Sequence, residues 1–114
     1  MQFSVPLNKN YEFRRVYSSG KSSATPLLAL YYKKNRTGHN RLGLTVGTKV
    51  GNAVTRNRVR RKLKEIYRLH EAEIKQGLDI VVVARVRSKN AEYAALESDM
   101  LSLIYKLGLA EAKK

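Results

Sequence analysis

The residues best suited to chemistry lie in one run, Lys49–Arg68, KVGNAVTRNRVRRKLKEIYR. It carries the cations Lys49, Arg56, Arg58, Arg60, Arg61, Lys62, Lys64 and Arg68 against a single acid, Glu65. Turned at about 100° per residue, Val59, Leu63, Ile66 and His70 fall in one stripe. Arg56, Arg60, Lys64, Arg68 and Arg61 spread over the neighbouring face, with Asn57 among them. A solvated helix face laced with i,i+4 ion pairs would need more acids than this. Like charges at i,i+4, as in Arg56/Arg60 and Arg60/Lys64, instead oppose the helix by about a few tenths of a kcal/mol each. Phosphate binding explains the imbalance better, because the guanidinium fork suits phosphate oxygens and base edges. Asn57 adds an uncharged amide able to read a base, a ribose hydroxyl or a metal-bound water.

A second group is aromatic. Phe13, Tyr17 and Tyr31 are interleaved with Arg14, Arg15, Lys33 and Lys34. Rings flanked by cations form a platform for unpaired bases, worth about 1–3 kcal/mol per stacked base. Strand alternation sends Tyr31 and Tyr32 to opposite faces, so one can be core and the other a binding surface. Phe13 is equally a candidate for the core.

No catalytic constellation is expected in the polypeptide. The two histidines, His39 and His70, stand alone in sequence and read as structural, and the nine carboxylates form no evident acid/base pair or metal cluster. With no cysteine there are no disulfides, thiolate zinc sites or thiol nucleophiles. Gly43, Gly47 and Gly51 lack the pattern of a phosphate-binding loop or dinucleotide fold. The chain reads as a binder.

Composition agrees. The net charge of +14 on 114 residues, with 43% hydrophobic residues, describes a folded basic domain, residues 1–114, and not a disordered tail. Carrying that charge costs stability through self-repulsion, and the usual reason to carry it is a polyanionic partner. No apolar run approaches the roughly 20 residues of a membrane span, and the first residues lack the pattern of a signal peptide. A cytoplasmic location and no membrane partner are expected.

The elements that must position these groups follow from periodicity. Asn8–Tyr17 reads as a short helix stopped by Gly20, and Gly20–Thr25 as an edge strand or loop. Leu27–Lys33 and Arg41–Thr48 read as strands joined by a turn into a hairpin. Asn52 or Thr55 caps the basic helix, which runs to about His70. Leu78–Val86 is apolar on both faces, as expected of a central strand covered on both sides. A last helix spans Asn90 to about Leu107, with Gly108 after it. The sum is a small α+β domain, one sheet with helices packed on it.

The stretch Leu42–Arg68 closely resembles the protein subunit of bacterial ribonuclease P. The resemblance rests on Lys49, Gly51–Val54, Arg56–Asn57, Arg58, Arg60, Arg61, Lys64 and Glu65, and extends from Asn10–Phe13 through Leu78–Arg85 to the last helix. Thr48 and Lys64 stand where that family often has Lys and Arg, and Tyr17 where Phe is frequent. The resemblance implies an α-β-β-β-α-β-α order with a mostly antiparallel sheet and a left-handed β-α-β crossover, against the right-handed default. It implies a monomer bound to a large catalytic RNA, acting with Mg²⁺ held mainly by RNA and substrate to remove the 5′ leader of precursor tRNA. It further implies RNA contacts from Lys49, Asn52, Arg56, Asn57, Arg58, Arg60, Arg61, Lys64 and Arg68, and a leader cleft lined by Phe13, Tyr17 and Tyr31. A ribosomal or RNA-chaperone domain would share the charge but would need neither the ordered GNAVTRNRVRR segment nor the cleft. An unaided hydrolase is the third alternative.

Overall fold

The computed structural model describes residues 4–7 and 9–110. The chain begins with a short strand β1 (Ser4–Pro6), then helix α1 (Asn10–Ser19) and strands β2 (Lys21–Ala24), β3 (Leu28–Lys34) and β4 (Asn40–Val46). The basic helix α2 (Ala53–His70), strand β5 (Leu78–Ala84) and helix α3 (Tyr93–Lys106) complete it. The five strands form one sheet in the order β1-β4-β5-β3-β2. Short 3-10 turns precede α2 (Thr48–Val50) and α3 (Val86–Asn90).

Strand β5 is central, as its two-sided apolar sequence requires, and its position corrects the expected hairpin. β3 and β4 do not pair with each other; β5 lies between them, antiparallel to β3 and parallel to β4. A strand apolar on both faces leaves its polar backbone buried unless both edges are paired. The turn from Asn35 to His39 therefore spans two strand spacings, roughly 9–10 Å. A second correction follows: the sheet is evenly mixed, with β1–β4 and β4–β5 parallel and β2–β3 and β3–β5 antiparallel, where a mostly antiparallel one was expected. Strand β1 was not anticipated, and three residues give too little periodicity to read.

Alternation divides the sheet cleanly. Leu28, Leu30, Leu42, Val46, Ile80 and Val82 point to one face, where Val59, Leu63, Ile66 and Tyr67 of α2 and Leu96, Met100, Leu103 and Ile104 of α3 cover them. On the other face, Val16 of α1 packs on Val81 with Leu7, and Phe13, Tyr31 and Val83 lie against this smaller cluster. Helix α1 crosses the strands. It starts over Gly43 of β4, where an added Cβ would lie 2.5 Å from the Phe13 ring, and ends at Gly20, whose own Cβ would lie 2.5 Å from the carbonyl oxygen of Tyr32 in β3. Neither position accepts a side chain without movement.

Candidate nucleic-acid interface

Of the two caps the sequence offers for α2, Asn52 and Thr55, the structure uses Asn52. The Asn52 side-chain oxygen accepts the backbone N–H of Thr55 at 2.9 Å, so this candidate contact residue caps the helix. The buried stripe is wider than Val59, Leu63 and Ile66: Tyr67 joins it, its hydroxyl hydrogen-bonded to Ser4 of β1 at 2.8 Å. That widening leaves Arg56 and Arg60 half-buried at the margin of the cationic face. Arg56 Nε is buried with no acceptor among the described residues. Arg60 donates to the Asn57 side chain at 2.8 Å, and Asn57, Arg60, Arg61 and Lys64 surround a shallow hollow on the helix surface. Lys49, Arg58, Arg61 and Lys64 are exposed.

Two of the eight cations are tied to a carboxylate or a backbone carbonyl among the described residues. Arg68 binds Glu65 through two hydrogen bonds and holds that carboxyl below its usual range. Lys62 donates to the Ala91 carbonyl at 3.2 Å. Six remain for a ligand: Lys49, Arg56, Arg58, Arg60, Arg61 and Lys64. His70, on the apolar side, lies between Glu97 at 3.1 Å and Glu73 at 3.4 Å and ties α2 to α3.

The three aromatic candidates meet on the opposite face of the sheet. The rings of Tyr17 and Tyr31 stand edge to face with centroids 4.9 Å apart, and Phe13 is 6.4 Å from Tyr17. Tyr17 is exposed, while Phe13 and Tyr31 are half-buried. Phe13 lies over Gly43 and packs, half-buried, against the small core. The Tyr17 hydroxyl shares a 3.0 Å hydrogen bond with Thr45. Beyond Thr45 a groove of about 500 Å³ continues over Val83 to Lys49 and Arg85. Thr45, Val83 and Arg85 were missed, and only the register that aligns Thr45 with Val83 brings them together.

Sequence reasoning also missed what seats α1. Arg41 of β4 donates to Glu12 of α1 and, through Nε and Nη2, to both oxygens of Asp79 at 2.7 Å. Asn35 donates to Asp79 at 2.9 Å. Burial alone would raise the Asp79 carboxyl, but the hydrogen bonds from Arg41 and Asn35 outweigh it and hold it below its ordinary value. The hydrogen bonds to Asp79 raise Arg41 in turn. A polar pair at adjacent positions of two apolar strands, Arg41 and Asp79, is the signal that could have revealed this tie.

Among the described residues, no three His, Asp or Glu side chains gather into a set able to ligate a metal ion. No helix among them is long and apolar enough to cross a membrane. A cationic helix on one layer and a cluster of aromatic rings on the other define a basic nucleic-acid-binding protein of the α+β class.

Comparison with known proteins agrees. The model of the Ribonuclease P family matches residues 1–108. A ribonuclease P protein component from Alkaliphilus metalliredigens (strain QYMF) is 48% identical over 109 residues, covering 96% of this chain and 98% of its own. The 2.0 Å structure of the Staphylococcus aureus RNase P protein superposes with a TM-score of 0.86 at 30% identity, over 93% of this chain and 97% of that one. The RNase P protein from Thermotoga maritima gives 0.78 at 28% identity, over 85% and 92%. The chain belongs to the ribonuclease P protein family. It is a protein component of an endoribonuclease that matures tRNA 5′ ends, and its partner is the ribonuclease P RNA.

Proposed function

We propose that residues 1–114 act as one RNA-binding unit that grips two RNAs with two faces. The catalytic RNA is held by Lys49, Arg56, Asn57, Arg58, Arg60, Arg61 and Lys64, with Arg68 at the margin and Asn52 fixing the start of the helix. The 5′ leader of precursor tRNA lies in the cleft of Phe13, Tyr17 and Tyr31. The observation that carries this reading is the Tyr17–Tyr31 pair, 4.9 Å apart, with Tyr17 open to solvent on the face opposite α2. A buried core has no need of an exposed ring, whereas a stacked base does. The metal on this reading is Mg²⁺, held by the RNA and the substrate, and the protein strengthens substrate binding as a monomer in the cytoplasm.

The test compares precursor with mature tRNA. In the reconstituted holoenzyme, Tyr17→Ala or Tyr31→Ala weakens precursor binding by roughly 5- to 150-fold, the value of one stacked base, and leaves mature tRNA binding unchanged. Full retention of the preference for long leaders in both variants would refute the cleft.

A further inference from the structure

The Tyr17 side chain carries more than stacking requires. Phe13, one turn earlier on α1, presents a ring to the same cluster without a hydroxyl. The Tyr17 hydroxyl instead meets the Thr45 hydroxyl at 3.0 Å in an exposed hydrogen bond, and either oxygen can be the donor. Two hydroxyls hold two protons, and their mutual bond uses one. The pair keeps one proton to give and lone pairs to accept with, in either order.

The row that leads away from the pair is apolar. Thr45 of β4 is aligned with Val83 of β5, and Val83 with Ala29 of β3. The groove of about 500 Å³ runs from Thr45 over Val83 towards the exposed Val86, with Lys49 and Arg85 further along it. That volume suits a small flat ligand. An apolar floor takes the face of a base, and the cations beyond it take phosphates. Hydroxyls at the head of such a groove meet the edge of a base that lies on the floor. A base stacked on Tyr17 itself lies parallel to the ring, so its edge stays away from a hydroxyl in the ring plane. The pair therefore serves the next nucleotide. Hydroxyls covered by a ligand and left unpaired are disfavoured, so an apolar occupant is penalised where a polar edge is not.

We infer, resting on the reading of the cleft as the leader's site, that the Tyr17–Thr45 hydroxyl pair reads the polar edge of the leader base next to the stacked one. Base edges set hydrogen-bond donors beside acceptors, and a pair that orders its protons either way matches that pattern.

The test uses the reconstituted holoenzyme and precursor tRNAs with a uridine leader. One leader position at a time carries a difluorotoluene nucleotide, which keeps the shape of uridine and lacks its hydrogen bonds. At one position wild type is expected to lose roughly 2- to 12-fold in affinity, the worth of one neutral hydrogen bond. The double variant Tyr17→Phe with Thr45→Val keeps the ring and the strand shape, and is expected to bind uridine and mimic alike there. Thr45→Ser keeps both hydroxyls and retains the difference. Thermal unfolding verifies that the variants are folded, and Tyr17→Phe alone, with a reduced difference, serves if the double variant is not.

A pair that only pins α1 to β4 would lower affinity for both precursors equally and leave their ratio as in wild type, which overturns the proposal. So does a wild type indifferent to the mimic at every position. A response to 2′-deoxy substitution in place of the base change would assign the pair to ribose and overturn the base reading. If Tyr17→Ala and Tyr31→Ala both keep full preference for long leaders, the cleft reading fails and this one with it. If they lose that preference while the ratio is unmoved in the double variant, only the hydroxyl assignment falls.

Discussion

Replacing Arg41 with Met removes the group that seats α1 and strands two carboxylates at once. The side chains of Glu12 and Asp79 are 9% and 4% exposed, whereas Arg41 is 21% exposed, so water reaches the guanidinium more readily than the acids. Removing one partner of a buried pair costs about 3–5 kcal/mol, and the partial exposure argues for the lower end, about 3 kcal/mol. For a domain of this size that corresponds to a fall in Tm of roughly 12 °C. The pH dependence carries a sign. In wild type the Asp79 carboxyl is held below its ordinary 3.8, so its contribution is full above that value and is lost as pH falls through the lower folded value. Without Arg41, burial dominates, the folded pKa rises above the unfolded one, and the penalty disappears as protonation proceeds. The gap in Tm between wild type and Arg41→Met should therefore be widest near pH 7 and narrow steadily towards pH 4, read by thermal unfolding monitored by circular dichroism. A loss under about 1 kcal/mol, or a gap that does not change with pH, would refute the role given to Arg41.

Further outcomes follow from the same geometry. With six cations on Lys49 and α2 that no carboxylate or backbone carbonyl holds among the described residues, log K for the RNA subunit should fall against log[salt] with a slope of roughly −4 to −5, and Arg60→Ala or Lys64→Ala should reduce its magnitude by about one, as filter binding will measure. Asn52→Ala should cost about 1 kcal/mol of stability through the lost cap, and Asn52→Asp should restore it, as seen in urea unfolding. Gly43→Ala drives a methyl into the Phe13 ring and should destabilise by about 1–3 kcal/mol while weakening leader binding, which a precursor with a fluorescent leader reports.

The sequence was most informative where one segment decided its own surroundings. The stripe of Val59, Leu63 and Ile66 and the central placement of the strand read as Leu78–Val86, which ends at Ala84, follow from local pattern, and the polar residues before α2 narrow its cap to Asn52 or Thr55, of which Asn52 serves. The expected hairpin failed because pairing between β3 and β4 is local in sequence while the insertion of β5 is decided forty residues later, by the need to cover both its edges. Tyr67 escaped the predicted stripe because it gains a partner, Ser4, from a strand too short to detect. The aromatic trio was visible as a set, but the groove running from Thr45 to Arg85 and the Glu12–Arg41–Asp79 tie exist only once register joins distant strands. Charge alone could only call the partner polyanionic; the Leu42–Arg68 segment implied an RNA, and the comparison with known proteins agrees.

The central claim is that this polypeptide binds and the RNA subunit cleaves. It is tested most directly by incubating a 5′-labelled precursor tRNA at low Mg²⁺ with protein alone, ribonuclease P RNA alone, and the two together. The account predicts release of the intact leader only from the combined reaction, with stimulation reduced in the Tyr17→Ala, Tyr31→Ala double variant. Cleavage by the protein alone, or a combined reaction no faster than RNA alone, would contradict it.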